Sequence, residues 1–288
     1  MEFLDAYLIT ILNGLARGVL LFALASGLSL VFGLMDLLNV AHGSVLVIGA
    51  YVALTLAPDG RGFWLAAAAA VVVGALFGLV LLVMVKPIQG HGHLDQVLVT
   101  LGLAFIVGDL SGRLWDRNIH SLQPPPPLGG SVAILGQPYP VYRLAVIAVG
   151  VVLAVGLYLL FERTMLGAVV RAAVADRDMV SALGIDVGRV FVGVVALATA
   201  LAAFGGVIGG PILGVRPGLD FQVLILALIV VVIGGLGSLR GALVGSILIG
   251  LVQSLGPVLF PQFASFLLFG AMALVLMFRP AGLYGRTA

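Results

Sequence analysis

The sequence has no cysteine and few charged residues. None of its 288 residues is a cysteine, and only 9% are charged. Without thiols the chain can form neither a disulfide nor a thiolate metal site. The formal net charge is +2 and the arginines are scattered, so no basic stripe for a nucleic-acid partner is expected. So few charges also exclude an ordinary water-soluble domain.

Apolar residues dominate what remains. They make up 62% of the chain, and the mean hydropathy is +1.26. A helix needs about 20 apolar residues to cross the bilayer core. We therefore predict an all-α, polytopic transmembrane bundle of about eight or nine spans, some short or interrupted, forming a single domain over residues 1–288. The predicted spans are residues 14–33, 40–57, 63–85, 96–110, 142–161, 190–213 and 221–236, and then 241–278, which Pro257 and Pro261 divide in two.

Polar segments separate these spans. Residues 1–12 are expected at the membrane interface, and Arg17 is expected to snorkel from the outer end of the first span to the headgroups. Residues 113–140 form a long loop whose four consecutive prolines, 124–127, favour polyproline II and exclude helix. The bias of basic residues places segment 162–189 and the C-terminus in the cytoplasm and the N-terminus outside.

Glycines four residues apart recur in the sequence and place small residues on one face of a helix. Their density is highest over residues 205–250. Small residues let helix backbones approach closely in a membrane. The pattern therefore predicts tight packing among the sixth, seventh and eighth spans.

The longest polar stretch is segment 162–189, ERTMLGAVVRAAVADRDMVSALGIDVGR. Its apolar residues at helical spacing predict one short amphipathic helix over residues 167–183, which Gly184 is placed to stop. The segment either offers this helix to a soluble partner or is an ordinary solvated basic loop. The apolar stripe consists of Val170, Val174, Val180 and Leu183.

Two polar groups are candidates for a path through the bundle. The first opens the second span, where polar groups are costly unless they are paired or face water; it either lines a pathway or caps the helix through Asn39. The second follows the seventh span and either exposes carbonyls to a cavity or makes a tight turn. The candidates are Asn39, His42, Gly43 and Ser44, and then Gly234, Gly235 and Gly237.

Residues that carry chemistry are scarce. His91, His93 and Asp95 lie close in sequence, but no nearby side chain completes a tetrahedral set, so no metal is predicted. Asp109 and Arg113, four residues apart, are expected to form a local ion pair. The sequence contains no GxxxxGK[ST] phosphate loop, so any ATP hydrolysis must occur on another chain.

Three stretches of the sequence carry a family likeness. They are Asn13-Gly14-Leu15 with GLSLVFGLMDLLNVAHGSVLVIGAYVA, then KPIQGHGHLDQVLVTLGLAF, and then IGGLGSLRGALVGSILIGLVQ with the ending LMFRPAGLYGR. In this order they resemble the permeases of ABC importers for branched-chain amino acids, of the shorter, LivH type. The resemblance covers nearly the whole chain. Gln253 and Arg17 depart from the family pattern, which keeps urea, amides or aromatic acids as alternative solutes.

The resemblance implies a half-transporter for branched-chain or other hydrophobic amino acids in a bacterial inner membrane, in contact with lipid. It implies as partners a second homologous permease in a heterodimer, two cytoplasmic ABC ATPases that hold ATP and Mg²⁺, and a periplasmic or lipid-anchored solute-binding protein. The chain itself would be no enzyme and bind no cofactor. An ion-driven secondary transporter is the less favoured alternative, with His42, Asp109 and Gln253 as its deep polar groups.

The resemblance also implies a role for segment 162–189. The corresponding loop of the family is the coupling helix, which docks on an ATPase and moves as a rigid lever. That role is carried onto residues 171–184 of this sequence. The coupling residues implied are Arg171, Ala172, Asp176, Arg177, Asp178 and Gly184.

Overall fold

The computed structural model describes residues 2–35, 37–88, 92–134 and 136–285. This part of the chain is a polytopic helical bundle with one small β-hairpin at one end. The helices are α1 (Glu2–Met35), α2 (His42–Leu56), α3 (Phe63–Val85), α4 (His93–Leu114), α5 (Val141–Arg163), α6 (Met165–Ala175), α7 (Arg177–Ala182), α8 (Val187–Leu213), α9 (Leu219–Gly234), α10 (Leu239–Leu259) and α11 (Ala264–Phe278).

Each predicted span overlaps one of these helices, but the helices differ in length. Within the described residues, six are long and apolar enough to cross a membrane: α1, α3, α4, α5, α8 and α10. The 15 residues of α2 and the 16 of α9 reach only about 22 and 24 Å, less than the hydrocarbon core of about 30 Å. These two helices therefore end or begin inside the membrane.

Two helix boundaries differ from the sequence prediction. Residues 2–12 belong to the continuous helix α1 and do not form a separate interfacial segment, because nothing between them and the first span breaks a helix. Pro257 lies inside the last turn of α10, which continues to Leu259. The break falls two residues later, where Pro261 opens a short 3₁₀ turn before α11.

The proline-rich loop is more ordered than predicted. Pro125 has polyproline II angles, but Pro126–Leu128 forms a 3₁₀ turn, so the prediction that the run excludes any helical turn is wrong. Proline fits the first positions of such a turn because its missing N–H would be unpaired there. Two antiparallel strands follow, β1 (Ser131–Ile134) and β2 (Gln137–Pro140).

Glycine contacts hold the bundle together. Gly14 and Gly18 of α1 lie against α10, where a Cβ on Gly18 would be 2.9 Å from the Ser246 carbonyl oxygen. Gly245 of α10 packs on α9, as predicted for neighbouring spans. The glycines of α8 differ from the prediction, since Gly206 packs on α2 instead of on α9 or α10.

The bundle has two ends, which we name by their loops. The inner end contains residues 164–186 and 235–238. Beside these two segments, Arg240 of α10 forms an ion pair with Glu162 of α5 (3.2 Å). The outer end contains residues 57–62 and the hairpin, with a hydrogen bond from Arg143 to Asn13 nearby. That the inner end faces the cytoplasm stays a prediction from the bias of basic residues.

Candidate functional site

Segment 162–189 contains two short helices, so the prediction of one helix over residues 167–183 is wrong. Asp176 leaves the helical conformation (φ −156°, ψ 100°) between α6 and α7. Its Oδ1 accepts a hydrogen bond from the Met179 amide (2.9 Å). An aspartate side chain competes for backbone donors and favours such capping positions over helix interiors. Asp176 is therefore the corner between α6 and α7.

The ends of the helix pair are defined by side chains and one glycine. Thr164 caps α6 through the Gly167 amide (3.2 Å). After α7, Gly184 adopts φ +81°, and the Ile185 amide donates to the Val180 carbonyl (3.4 Å). This is a Schellman arrangement, so the predicted stop at Gly184 is confirmed.

The helix pair is fixed to the bundle by packing and by charges. A Cβ on Gly167 would be 2.2 Å from the Phe161 carbonyl oxygen, so α6 folds back tightly on α5. Glu162 lies 3.2 Å from Arg240 and 4.0 Å from Arg171. Exposed ion pairs are worth about 1 kcal/mol at most, so the buried contacts matter more. The helix pair is thus held closely against α5.

The predicted apolar stripe is divided between two surfaces. Val170 and Val180 are buried against the bundle, whereas Leu183 is 72% exposed. Met179 is 60% exposed and lies four residues before Leu183, on the same side of α7. We call Met179 and Leu183 the docking edge. All six predicted coupling residues are exposed at the surface of this segment: Arg171, Ala172, Asp176, Arg177, Asp178 and Gly184.

A cavity of about 790 Å³ lies between the helix pair and the bundle at the inner end. Val174 and Arg171 of α6 form one side, and Phe22 and Leu30 of α1 form another. Arg240, at the start of α10, also lines it. A displacement of α6 would therefore change the shape of a cavity that reaches into the bundle.

Replacing Asp176 with alanine should loosen α7. The change removes the acceptor for the Met179 amide and should cost the helix about 1 kcal/mol. Hydrogen exchange of the amides of residues 177–182, followed by mass spectrometry, should speed up about fivefold, the factor that 1 kcal/mol corresponds to. Asp176→Asn keeps an acceptor and is the control. Equal exchange in the two variants would show that the side chain does not cap α7.

Residues 37–41, which precede α2, run through the protein without helix or strand. Leu37, Asn39 and Ala41 are at most 3% exposed. The Val40 amide donates to the Thr100 hydroxyl of α4 (3.1 Å). Irregular backbone at membrane depth occurs where protein buries it or where it lines a cavity. This segment therefore lies in the interior of the bundle.

The short helices α2 and α9 meet with their N-termini. Ser44 in the first turn of α2 donates to Oδ2 of Asp220 in the first turn of α9 (3.0 Å). Asp220 is only 4% exposed. A Cβ on Gly43 would lie 2.2 Å from the Asp220 carbonyl oxygen, so the two helices touch through backbone. A carboxylate is favoured here because the amide dipoles of both helices point toward it.

The sequence analysis missed Asp220. The signal was present, since an acid two residues after Pro217-Gly218 and before an apolar run marks the first turn of a helix. We predicted the seventh span to start at residue 221 and so left Asp220 outside it. Its contact with Ser44 joins residues that are 176 positions apart, which no local pattern shows.

The two groups of predicted path residues lie in different places. Asn39, His42, Gly43 and Ser44 come together in the interior, where the His42 Nε2 donates to the Leu24 carbonyl (3.2 Å). Of the two alternatives for this group, capping of α2 by Asn39 is not what the structure has: α2 has Ala41 at its N-cap, and the Asn39 amide atoms have no hydrogen-bond partner among the described residues.

The second group forms the tight turn between α9 and α10 at the inner end. Gly235 and Gly237 have φ of 96° and 74°, which favour glycine. Gly234 packs against Gly241 across the turn, and Ser238 caps α10. The glycines therefore serve a turn and a close contact, and the structure does not bring them to Ser44.

Two further motifs were noted in the sequence, an acid–base pair on the fourth span and a group of histidines before it. Asp109 and Arg113 form the predicted ion pair (2.8 Å). His91 lies outside the described residues, and among those described no three His, Cys, Asp or Glu side chains are placed to hold a metal ion. The structure therefore offers the helix pair and the α2–α9 junction as candidate sites.

Replacing Ser44 with alanine should destabilise the bundle by about 2 kcal/mol, because a buried carboxylate would lose a hydrogen bond. Ser254→Ala is the matched control, since Ser254 donates to a neutral carbonyl of Thr10. Thermal denaturation in detergent should show a clearly lower midpoint for the first variant. Equal midpoints would show that the Ser44 hydrogen bond to Asp220 gives no more stability than an ordinary one.

Comparison with known proteins identifies the family. The family described as branched-chain amino acid transport system, permease component, matches residues 10–277. The permease protein BraD of a high-affinity branched-chain amino acid transport system in Pseudomonas aeruginosa is 32% identical, over 97% of this chain and 96% of BraD. The permease protein LivH of Escherichia coli is 27% identical, over 95% of this chain and 94% of LivH.

A third relative matches over a smaller part of its length. The probable branched-chain amino acid transport permease protein LivH of Methanocaldococcus jannaschii is 28% identical. The match covers 82% of this chain and 76% of that relative. No solved structure matches this chain. The apolar helices show that the chain is a multi-pass membrane protein. Because one family model matches nearly the whole chain, the chain belongs to the family of permease components of branched-chain amino acid transport systems.

Proposed function

We propose that this chain is the permease subunit of an ATP-driven importer that moves branched-chain or other hydrophobic amino acids across a bacterial inner membrane. The observation that carries the proposal is the family match over residues 10–277. Relatives named as permeases of high-affinity branched-chain amino acid systems match over almost their whole length. A permease of such a system is a conduit, so its energy comes from other subunits.

We propose that segment 162–189 binds one of two cytoplasmic ABC ATPases, which carry the ATP and Mg²⁺. The docking edge supports this, because exposed apolar side chains beside charged ones are typical of a protein interface. Met179 and Leu183 provide the apolar anchors, and Arg171, Arg177 and Asp178 provide a polar rim. The partner must be an ATPase because this chain has no phosphate loop.

The path of the movement follows from the anchoring of the helix pair. When the ATPases close on ATP, they displace the docking edge. The tight contact of Gly167 with Phe161 passes this displacement to α5, and Asp186, which caps α8 through the Arg189 amide, passes it to α8. The inner cavity, which α6 lines, would then change shape, so that the cavity opens and closes in turn at the inner end.

We propose that the junction of α2 and α9 lies on the translocation path. Transporters place solute sites where broken helices meet near the middle of the membrane. The unpaired amide of Asn39 and the Ser44–Asp220 pair are the polar groups available there. A second homologous permease would complete the path, and a periplasmic or lipid-anchored binding protein would deliver the solute to the outer end.

The experiment that tests this proposal is purification of the tagged chain from its native membrane in mild detergent, followed by mass spectrometry. We expect two copies of ABC ATPase, or two related ones, and a homologous permease. Uptake of labelled leucine by cells that carry the system should fall when unlabelled isoleucine or valine is added. Recovery of this chain alone, still active in uptake without ATP, would overturn the proposal in favour of a secondary transporter.

The solute class is tested by the same uptake assay. Urea, short amides and aromatic amino acids should compete for leucine uptake at least tenfold less well than isoleucine. Strong competition by any of them would move the chain to another solute within the same family. A binding protein that copurifies with the complex allows the same comparison by direct titration.

A further inference from the structure

A second cavity, of about 510 Å³, lies in the outer half of the bundle between α1, α9, α10 and α11. Most of its wall is aliphatic, and Leu20, Leu24, Leu46, Ile212 and Val223 contribute to it. Its polar side chains are Arg17, Gln222 and Gln253. Apolar walls with a few placed polar groups are typical of small-molecule sites, and the volume is within their usual range.

Arg17 lies well inside the apolar part of α1. It belongs to the apolar stretch Tyr7–Gly33 of α1, three positions from its middle residue, Leu20. It is also one helical turn, about 6 Å, further in than Asn13, which receives the Arg143 hydrogen bond at the outer start of α5. The predicted snorkelling assumed that the helix began near residue 14, whereas α1 begins at Glu2.

The guanidinium of Arg17 is exposed and has no acidic partner among the described residues. Its NH1 donates to the main-chain oxygen of Gln253 (3.3 Å). A charged side chain at this depth almost always faces a water-filled cavity or a charged partner, because lipid contact is costly. Because Arg17 lines the cavity, its free N–H groups are available to an anion inside it.

The floor of this cavity is the α2–α9 junction. Leu24 lines the cavity and also accepts the hydrogen bond from His42. Leu219 lines it too and directly precedes Asp220, which Ser44 holds. A solute that entered the cavity from the outer end would therefore stop at the closed contact between the two half-helices.

We propose that this cavity is a subsite of the translocation path in which Arg17 binds the carboxylate of an aliphatic amino acid. Guanidinium is the donor best suited to a carboxylate, and its planar fork can make two parallel hydrogen bonds. The leucine, isoleucine and valine side chains of the wall suit a branched aliphatic side chain. The subsite rests on the proposed function, since it names the solute group that the permease contacts.

The absence of cysteine makes a direct test possible. Gln253→Cys introduces the one thiol of this chain at the wall of the cavity, and the Arg17 hydrogen bond to the main chain is kept. The probes are two small, membrane-impermeant methanethiosulfonate reagents, one carrying a sulfonate and one a trimethylammonium group, applied to the assembled complex in liposomes. The sulfonate reagent should react about tenfold faster, because a cation lining a cleft concentrates anions.

In the double variant with Arg17→Met this preference should disappear, and with Arg17→Lys it should remain. Leucine-loaded binding protein should slow the reaction of the single variant. No reaction with either reagent would show that lipid or a partner subunit fills the cavity, and equal reaction rates would show that Arg17 does not bind anions there. Either result would overturn the subsite.

Transport gives a second measurement. Arg17→Met should lower ATP-driven leucine uptake about tenfold, and Arg17→Lys should restore part of it. Arg61→Met, which removes an exposed arginine at the outer end, is the matched control. Normal uptake by Arg17→Met would overturn the subsite alone, whereas absence of ATP-driven leucine uptake by the unmodified complex would overturn the proposed function itself.

Discussion

Replacing Gly206 with alanine is expected to prevent correct assembly of the bundle. The new Cβ would lie 1.8 Å from the Leu46 carbonyl oxygen of α2, about half the usual separation of packed heavy atoms. The neighbouring contact cannot yield, because a Cβ on Gly49 would be 2.0 Å from the Ala203 oxygen of α8. Both obstacles are backbone, so α2 and α8 would have to move apart.

The expected cost is about 3 kcal/mol, at the upper end of overpacking effects. Size-exclusion chromatography and thermal denaturation in detergent should show little monodisperse protein and a much lower midpoint. Gly193→Ala on the same helix is the control, because its Cβ would meet nothing within 4 Å. A Gly206→Ala protein as stable as Gly193→Ala would show that α2 and α8 do not pack as described.

The second large effect is expected at the docking edge. Leu183→Asp or Met179→Asp should separate the chain from its ATPase partner while leaving membrane insertion intact. Both side chains are well exposed, so a charge there does not disturb the bundle. An apolar anchor at the centre of an interface contributes about 2 kcal/mol or more, so binding should weaken about 30-fold.

Copurification of the ATPase with the tagged chain measures this effect. Ser181→Asp is the matched control: it adds the same charge to the same exposed helix but lies about 160° around the axis from Leu183. We expect Ser181→Asp to retain the ATPase and ATP-driven uptake. Equal loss in all three variants would indicate that any added charge disturbs the segment, and equal retention would contradict docking at Met179 and Leu183.

Hydropathy was sufficient to predict the helices that cross the membrane, because each needs a long run of apolar residues. Hydropathy could not place the start of α1. The mildly polar residues 2–12 continue the same helix as the apolar residues that follow them, so the change in polarity does not mark a helix boundary. The longer helix puts Arg17 further from the outer end of α1 than the predicted span did. Length along the helix, more than residue type, decides how deep a charged side chain lies.

Capping chemistry explains the errors in segment 162–189. The spacing of Val170 with Val174 and that of Val180 with Leu183 each suit a helix, but Asp176 between the two pairs satisfies an amide of the next turn and starts a new helix. A competing side-chain hydrogen bond is a local signal, and it could have been weighed against the periodicity. Gly184 was predicted correctly because a glycine after the last turn of a helix commonly adopts the left-handed conformation that ends it.

The α2–α9 junction could not be predicted in the same way. Asn39, His42 and Ser44 were recognised as unusual for a membrane segment, but Asp220, the partner of Ser44, comes from a distant helix. Tertiary contact decides whether such groups cap, pair or line a path. The sequence also shows no reason why Gly206 should pack on Leu46 instead of on a neighbouring span.

The central claim is that this permease moves amino acids with energy from a partner ATPase. The direct measurement is uptake of labelled leucine into proteoliposomes that contain the purified complex, with binding protein and ATP supplied on the appropriate sides. We predict accumulation against a gradient that requires ATP, survives an uncoupler and is lost in Leu183→Asp. Uptake that continues without ATP and collapses with the uncoupler would contradict the account.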